Sequence, residues 1–171
     1  MKPRKIHFIM SAFAGLTLLT ACEQSAGTDP VAETAKAALS GGVTAKERIK
    51  TRQAQLKKMG KAFKTISDEL KASGPDRAKI RSAAATLPRA ATGMVNWFPK
   101  GTGPEAGVKT AALPDIWKNK PDFNDKVAAM QDAAAQLQAV AQKGNVAAIA
   151  AQFRETGGKC KDCHHKYRSD D

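Results

Sequence analysis

Aromatic residues are scarce in this 171-residue chain, at 5% of the total: six Phe, two Trp and one Tyr. Val and Ile are thin beside Ala, Lys and Gln. Sandwiches and barrels draw on β-branched and aromatic side chains, so the shortage argues against an all-β fold. Acidic residues are also short, 16 against 28 Lys and Arg, which leaves a formal net charge of +12. Three cysteines are too few for a disulfide scaffold. No apolar run reaches the roughly 20 residues that cross a bilayer comfortably, and no segment alternates with period two. What is abundant is Ala, Lys, Gln and Leu, which enter helices at little cost. With 42% hydrophobic and 26% charged residues, the chain has the makings of one packed domain and is unlike a disordered one.

The N-terminus reads as an address. Lys2, Arg4 and Lys5 precede an apolar stretch from Phe8 to Leu19. That stretch has the length and flanks of a secretory leader rather than a membrane span. It ends in Leu19-Thr20-Ala21-Cys22, which resembles the box of a bacterial lipoprotein, with the lipid on Cys22. The competing reading is an ordinary signal peptide with a coincidental Cys. Residues 1–21 are therefore expected to be a lipoprotein signal peptide. Their removal takes away three cations, so the mature chain falls from +12 to +9. Residues 22–44 are small and polar, with Gly27, Pro30, Gly41 and Gly42, and read as a flexible tether reaching about 25 Å. The expected location is the bacterial periplasm, held to a membrane by the lipid on Cys22; which membrane is open.

Residues 45–171 carry apolar residues at seven-residue spacing in four stretches. The first runs from about Ala45 to Ala72, with Ile49, Leu56, Phe63 and Leu70 in one row and Arg52, Met59 and Ile66 in the next. The second runs from about Asp76 to Trp97, with a kink or break expected at Pro88. The third spans about Asp122 to Gln142. The fourth spans about Asn145 to Tyr167, with Val146, Phe153, Cys160 and Tyr167 in a row. Gly74-Pro75-Asp76 and Gly144-Asn145 are stop and cap signals. The Gly- and Pro-rich segment from Pro99 to Pro121 offers Leu113 and Trp117 as plugs. Short turns and a heptad-like repeat predict an all-α, antiparallel four-helix bundle.

Cys160-Lys161-Asp162-Cys163-His164 has the spacing of a c-type haem attachment signal. Each thiol adds across one haem vinyl group, and His164 reaches the iron. On a helix these three residues share a face, here the apolar one. A thioredoxin-like redox pair is expected at a helix N-terminus among strands, whereas this motif ends the last helix. A zinc site needs a fourth ligand, and a Cys160–Cys163 disulfide closes almost no loop. Covalent haem c, with iron, is the cofactor read from the motif.

A haem motif in the last helix of an exported four-helix bundle resembles the cytochrome c′ family. The C-terminal run from Cys160 to Arg168 is similar to that family's signature, as are Arg52-Gln53-Ala54-Gln55-Leu56 in the first helix, Ile116-Trp117 and Phe123. The likeness covers roughly residues 45–168. It implies His164 as the proximal ligand and Leu56 over the distal face of a five-coordinate, high-spin iron. Met59, three residues on, is the alternative: a sixth ligand in a low-spin electron carrier, or simply core packing. For Arg52 the resemblance implies a haem propionate as partner, against an exposed Arg whose stem covers apolar surface. Lys166 and Arg168 either raise the potential beside His164 or are solvated helix-end cations.

The function implied is binding of diatomic gases, nitric oxide or carbon monoxide, and electron transfer with periplasmic redox proteins. A peroxidase needs a distal acid–base group, and only Arg52 is a candidate, so no enzyme is expected. The basic balance fits anionic lipid or an acidic redox partner better than nucleic acid, for which there is no recognition motif. The resemblance also implies a homodimer through the first two helices.

Overall fold

The computed structural model describes residues 42–170. The leader, Cys22 and most of the tether lie outside the described residues. Four helices form the body: α1 (Ala45–Lys71), α2 (Arg77–Ala90), α3 (Lys120–Lys143) and α4 (Val146–Tyr167). Three of them begin where a side chain accepts from the first backbone donors, and the fourth where a proline has no donor to satisfy. Thr44 and Glu47 make a reciprocal capping box on α1, with Oε2 of Glu47 accepting from the Thr44 amide at 2.8 Å. Asp76 accepts from the amides of Ala78 and Lys79 at 2.8 and 3.0 Å, and Asn145 from that of Ala148 at 3.0 Å. Pro121 sits in the first turn of α3, where its missing N–H is no loss. At the other end of α3, Gly144 closes the helix at φ +73°, a conformation that suits glycine.

The second helix is shorter than its apolar repeat suggests. Pro88 is accommodated inside α2, and the helix stops at Ala90. Gly93 then takes φ +70°, and the chain continues as a 3₁₀ turn over Met94–Asn96. The apolar repeat runs on through Met94 and Phe98, both buried, because the turn keeps them on the core side. The break is thus set by Gly93, five residues beyond Pro88.

α1 packs on α2, α2 on α3 and α3 on α4, while α4 and α1 meet sparsely. The three packed seams hold a continuous core that includes Ile66, Ile80, Leu87, Phe123, Val127, Leu137 and Ile149. Among the described residues no helix is long and apolar enough to cross a membrane. In α4 the fully buried row is Ile149–Thr156, with Cys163 next in line. The expected row of Val146, Phe153 and Cys160 is half-buried beside it, and Tyr167 is buried. Thr156 escapes an apolar pattern search, yet it is 1% exposed and donates to the carbonyls of Ala133 and Gln152.

The long connection between α2 and α3 folds back over one end of the bundle. Trp117 plugs it, its indole N–H donating to the carbonyls of Phe98 and Pro99 at 3.2 and 3.0 Å. The second plug is Ile116, 2% exposed, while Leu113 is only half-buried. The cause is a single helical turn over Asp115–Lys118, which turns Ile116 inward.

Two stability predictions follow from this packing. Leu137 is completely buried, so Leu137→Ala is expected to cost about 2–5 kcal/mol in urea unfolding. Glu69 holds the α1–α2 corner, taking the ammonium of Lys79 and the amide of Asp76, and these bonds lower its pKa. Its contribution is therefore present above the ordinary Glu pKa and lost as pH falls through the lowered folded value. Urea midpoints measured from pH 7 downward should fall for the wild type, and fall less for Glu69→Gln.

Candidate functional site

Where α1 and α4 diverge lies a cavity of about 500 Å³. Its size and mainly apolar lining are those of a site for a cofactor or a sizeable organic ligand. α1 contributes Leu56, Met59, Gly60 and Phe63; α3 contributes Val127 and Met130; α4 contributes Thr156, Cys160, Cys163 and His164. Every residue singled out from the sequence as a site residue lines this one space: Arg52, Leu56, Met59, Cys160, Cys163 and His164. Met59 is 9% exposed and belongs to the core cluster; Leu56 beside it is half-buried.

At one end the gap is spanned by Phe63 of α1 and Phe153 of α4, stacked at 4.1 Å between centroids and 19° between planes. Gly157 makes room for them. A Cβ there would stand 3.3 Å from Cζ of Phe63, tighter than ordinary contact. At the other end, Trp117, Phe98, Phe123 and Tyr167 form a chain of edge-on rings with centroid spacings of 6.4, 4.9 and 5.3 Å. Four of the nine aromatic residues thus gather at one end of the cavity.

Arg52 is 2% exposed. Its Nη1 donates to Oγ1 of Thr102 at 2.9 Å; its Nη2 donates to the Thr102 carbonyl at 2.7 Å and to Oγ1 of Thr110 at 2.9 Å. The guanidinium also lies 4.6 Å over the ring of Phe98. Burial lowers its pKa to about 10, with Glu105 opposing, so it is charged at neutral pH. Arg52 therefore pins the α2–α3 connection to α1, a role the sequence pattern does not reveal. A guanidinium has five N–H donors, so two remain beyond these three bonds.

The same connection is fastened to the end of α4. The amide of Leu113 donates to the Tyr167 carbonyl at 3.0 Å, and that of Ser169 to the Ala111 carbonyl at 2.9 Å. Tyr167 donates its hydroxyl to Asp122, and Lys166 pairs with the same carboxylate at 3.0 Å. Lys166 is thus engaged with Asp122. Arg168 lines the cavity beside His164. His165 is exposed.

The electrostatics of the lining have one sign. Its charged residues are Arg52, Lys57, Lys126 and Arg168, with no carboxylate among them. Desolvation beside the cavity, assisted by Arg168, holds His164 below the ordinary imidazole range, which favours the neutral, metal-ligating form. Burial raises both thiols, Cys163 to about 11, so they stand as thiols rather than thiolates. Neither is in a disulfide. Two unpaired thiols, a neutral imidazole and an apolar slot with cationic edges fit a large planar group with acidic substituents, tethered at Cys160 and Cys163.

Comparison with known proteins points to one family. A family model described as Cytochrome C′ matches residues 47–168. Cytochrome c′ of Allochromatium vinosum is 32% identical over 137 residues, 79% of this chain and 88% of that protein. A solved cytochrome c′ described by its ligand-controlled dimer dissociation is 31% identical with a TM-score of 0.70, over 75% of this chain and 99% of that one. A nitric oxide complex of a variant cytochrome c prime from Alcaligenes xylosoxidans is 28% identical with a TM-score of 0.65, over 73% and 96% of the two chains.

Removing the Arg52 clamp leaves the hydroxyl oxygen and the carbonyl of Thr102, which is fully buried, without the guanidinium that donates to them. Arg52→Gln is expected to destabilise the protein by about 3 kcal/mol. Limited proteolysis should show faster cleavage within residues 99–112, while Lys58→Gln, exposed on the same helix, leaves that segment protected.

Proposed function

The chain belongs to the cytochrome c′ family, whose members carry covalently attached haem c, and on that premise we propose that it binds diatomic gases, nitric oxide or carbon monoxide, at a five-coordinate haem iron and passes electrons in the bacterial cell envelope. Bound in the cavity, the haem supplies an iron that changes between ferrous and ferric and takes a small gaseous ligand.

The chain's own residues define how. Cys160 and Cys163 hold the group by thioether bonds and His164 ligates from α4. The observation that carries the reading is the stretch of the α1 wall made by Leu56, Met59, Gly60 and Phe63, whose side chains carry no hydrogen-bond donor. Of the α1 donors that also line the cavity, Arg52 is bonded to Thr102 and Thr110, Gln53 to the Lys109 carbonyl, and Lys57 is exposed. A ligand such as dioxygen, which relies on a donor, gains nothing there. Nitric oxide and carbon monoxide bind ferrous haem without one. Leu56 also brings bulk that disfavours larger ligands. Arg52 is committed to Thr102 and Thr110 and is unsuited to acid–base work, which supports a binding and redox protein rather than an enzyme. Its two unused donors would suit a haem propionate.

A second reading rests on Met59, whose buried side chain also lines the cavity. In it the Met59 thioether is a sixth ligand and the protein is a low-spin electron carrier. One solved cytochrome c′ is described by a ligand-controlled dissociation of its dimer. For this chain, a lipid anchor on Cys22, periplasmic redox partners and a homodimer through α1 and α2 are part of the proposal.

Mass spectrometry of protein made in cells that mature c-type cytochromes should show the chain plus one haem, lost in Cys160→Ser/Cys163→Ser. Reduced wild-type protein should give broad high-spin bands that shift on adding nitric oxide or carbon monoxide. Leu56→Met should sharpen them toward a low-spin spectrum, and Met59→Leu should leave the wild-type spectrum unchanged. A wild-type low-spin spectrum that Met59→Leu converts to high-spin establishes the second reading instead.

A further inference from the structure

The outer face of α1 carries Lys46, Lys50, Lys57, Lys61 and Lys64, all exposed. At about 100° per residue they fall within an arc of roughly 60°, and at about 1.5 Å per residue the row is roughly 27 Å long. Lys64 pairs with Asp68 at 2.7 Å. Among the described residues the other four have no carboxylate in ion-pair range. The fold gains nothing from this arrangement. Like charges three and four residues apart repel, and cations near the start of a helix oppose its dipole. Side chains placed against both effects, in a straight row, point to an anionic surface outside the protein.

We propose that α1 lies along an anionic phospholipid surface through this row. The choice of a bilayer over an acidic protein rests on the reading of Cys22 as the lipid-bearing residue. Only residues 23–43 separate Cys22 from Thr44, the cap of α1, so the anchor delivers the start of this helix to the membrane first. So short a spacer, 21 residues, keeps the domain near the head groups. A second copy on the same arc would set one lysine row against another, so a dimer would use other faces of α1 and α2. Docking also orients the haem cavity. Lys57, a member of the row, also lines the cavity together with the exposed Gln53 and Gly60 next to the row, so this rim faces the bilayer, where apolar gases dissolve.

The test uses holo-protein beginning at Glu23, so that no acyl group contributes. Solved relatives are spanned almost whole by three quarters of this chain, so the domain folds without its leader. Sedimentation with phosphatidylglycerol–phosphatidylcholine vesicles should show binding at low salt, and pure phosphatidylcholine vesicles should show none. Lys46→Glu/Lys50→Glu/Lys61→Glu should weaken binding more than tenfold with the visible spectrum intact. Arg77→Glu/Arg89→Glu/Lys143→Glu, with the same change in net charge, should bind within twofold of wild type. Equal loss in both triple variants overturns the proposal. So does failure of the wild type to bind anionic vesicles, which leaves the row to an acidic protein. None of these outcomes depends on which gas or iron ligand is correct, and the mass of the native protein tests the lipid on Cys22 separately.

Discussion

The structure depends on an unequal closure of its helix ring. Three seams are zipped by a shared apolar core, and the fourth, between α1 and α4, is held apart. Burial of side chains such as Ile66, Leu137 and Ile149 stabilises the three closed seams without help from the fourth. The open seam is what gives the protein a site. Both of its walls are rigid helices, so the thiols, the imidazole and the facing aliphatic residues are positioned by secondary structure rather than by loops.

Polar groups secure the one long loop that a bundle of this kind cannot hold by helix packing. Arg52 grips it from α1, and the backbone of Tyr167, Arg168 and Ser169 grips it from the end of α4. The same loop thus ties together the two helices that the cavity separates. A buried guanidinium is costly unless its donors are satisfied. Here the hydroxyls of Thr102 and Thr110 and one carbonyl take three of its five donors, and the face of Phe98 lies beneath it.

Much of the bundle is legible in the sequence because helix periodicity is local. The row of Arg52, Met59 and Ile66 is buried as its spacing indicates, and Asp76, Gly144 and Asn145 mark boundaries by their own chemistry. The haem motif and the facing Leu56 and Met59 are likewise readable, and they converge on one cavity. What is hidden is whatever needs distant partners. The repeat through Met94 and Phe98 continues past the true end of α2, since a 3₁₀ turn preserves the buried side. Thr156 looks polar until its carbonyl partners are known. Thr102 and Thr110 lie about fifty residues from Arg52, and no spacing rule connects them.

The stacked pair of Phe63 and Phe153 has a consequence for the whole slot. Two flat rings pressed against a glycine form a shim of nearly incompressible thickness. The gauge of the opening is then set by this spacer and not by attraction across the gap. A change in the spacer would reach the far end of the groove through the two stiff rods it separates. The grip on a tethered planar guest would therefore be tuned from a place the guest's metal never touches.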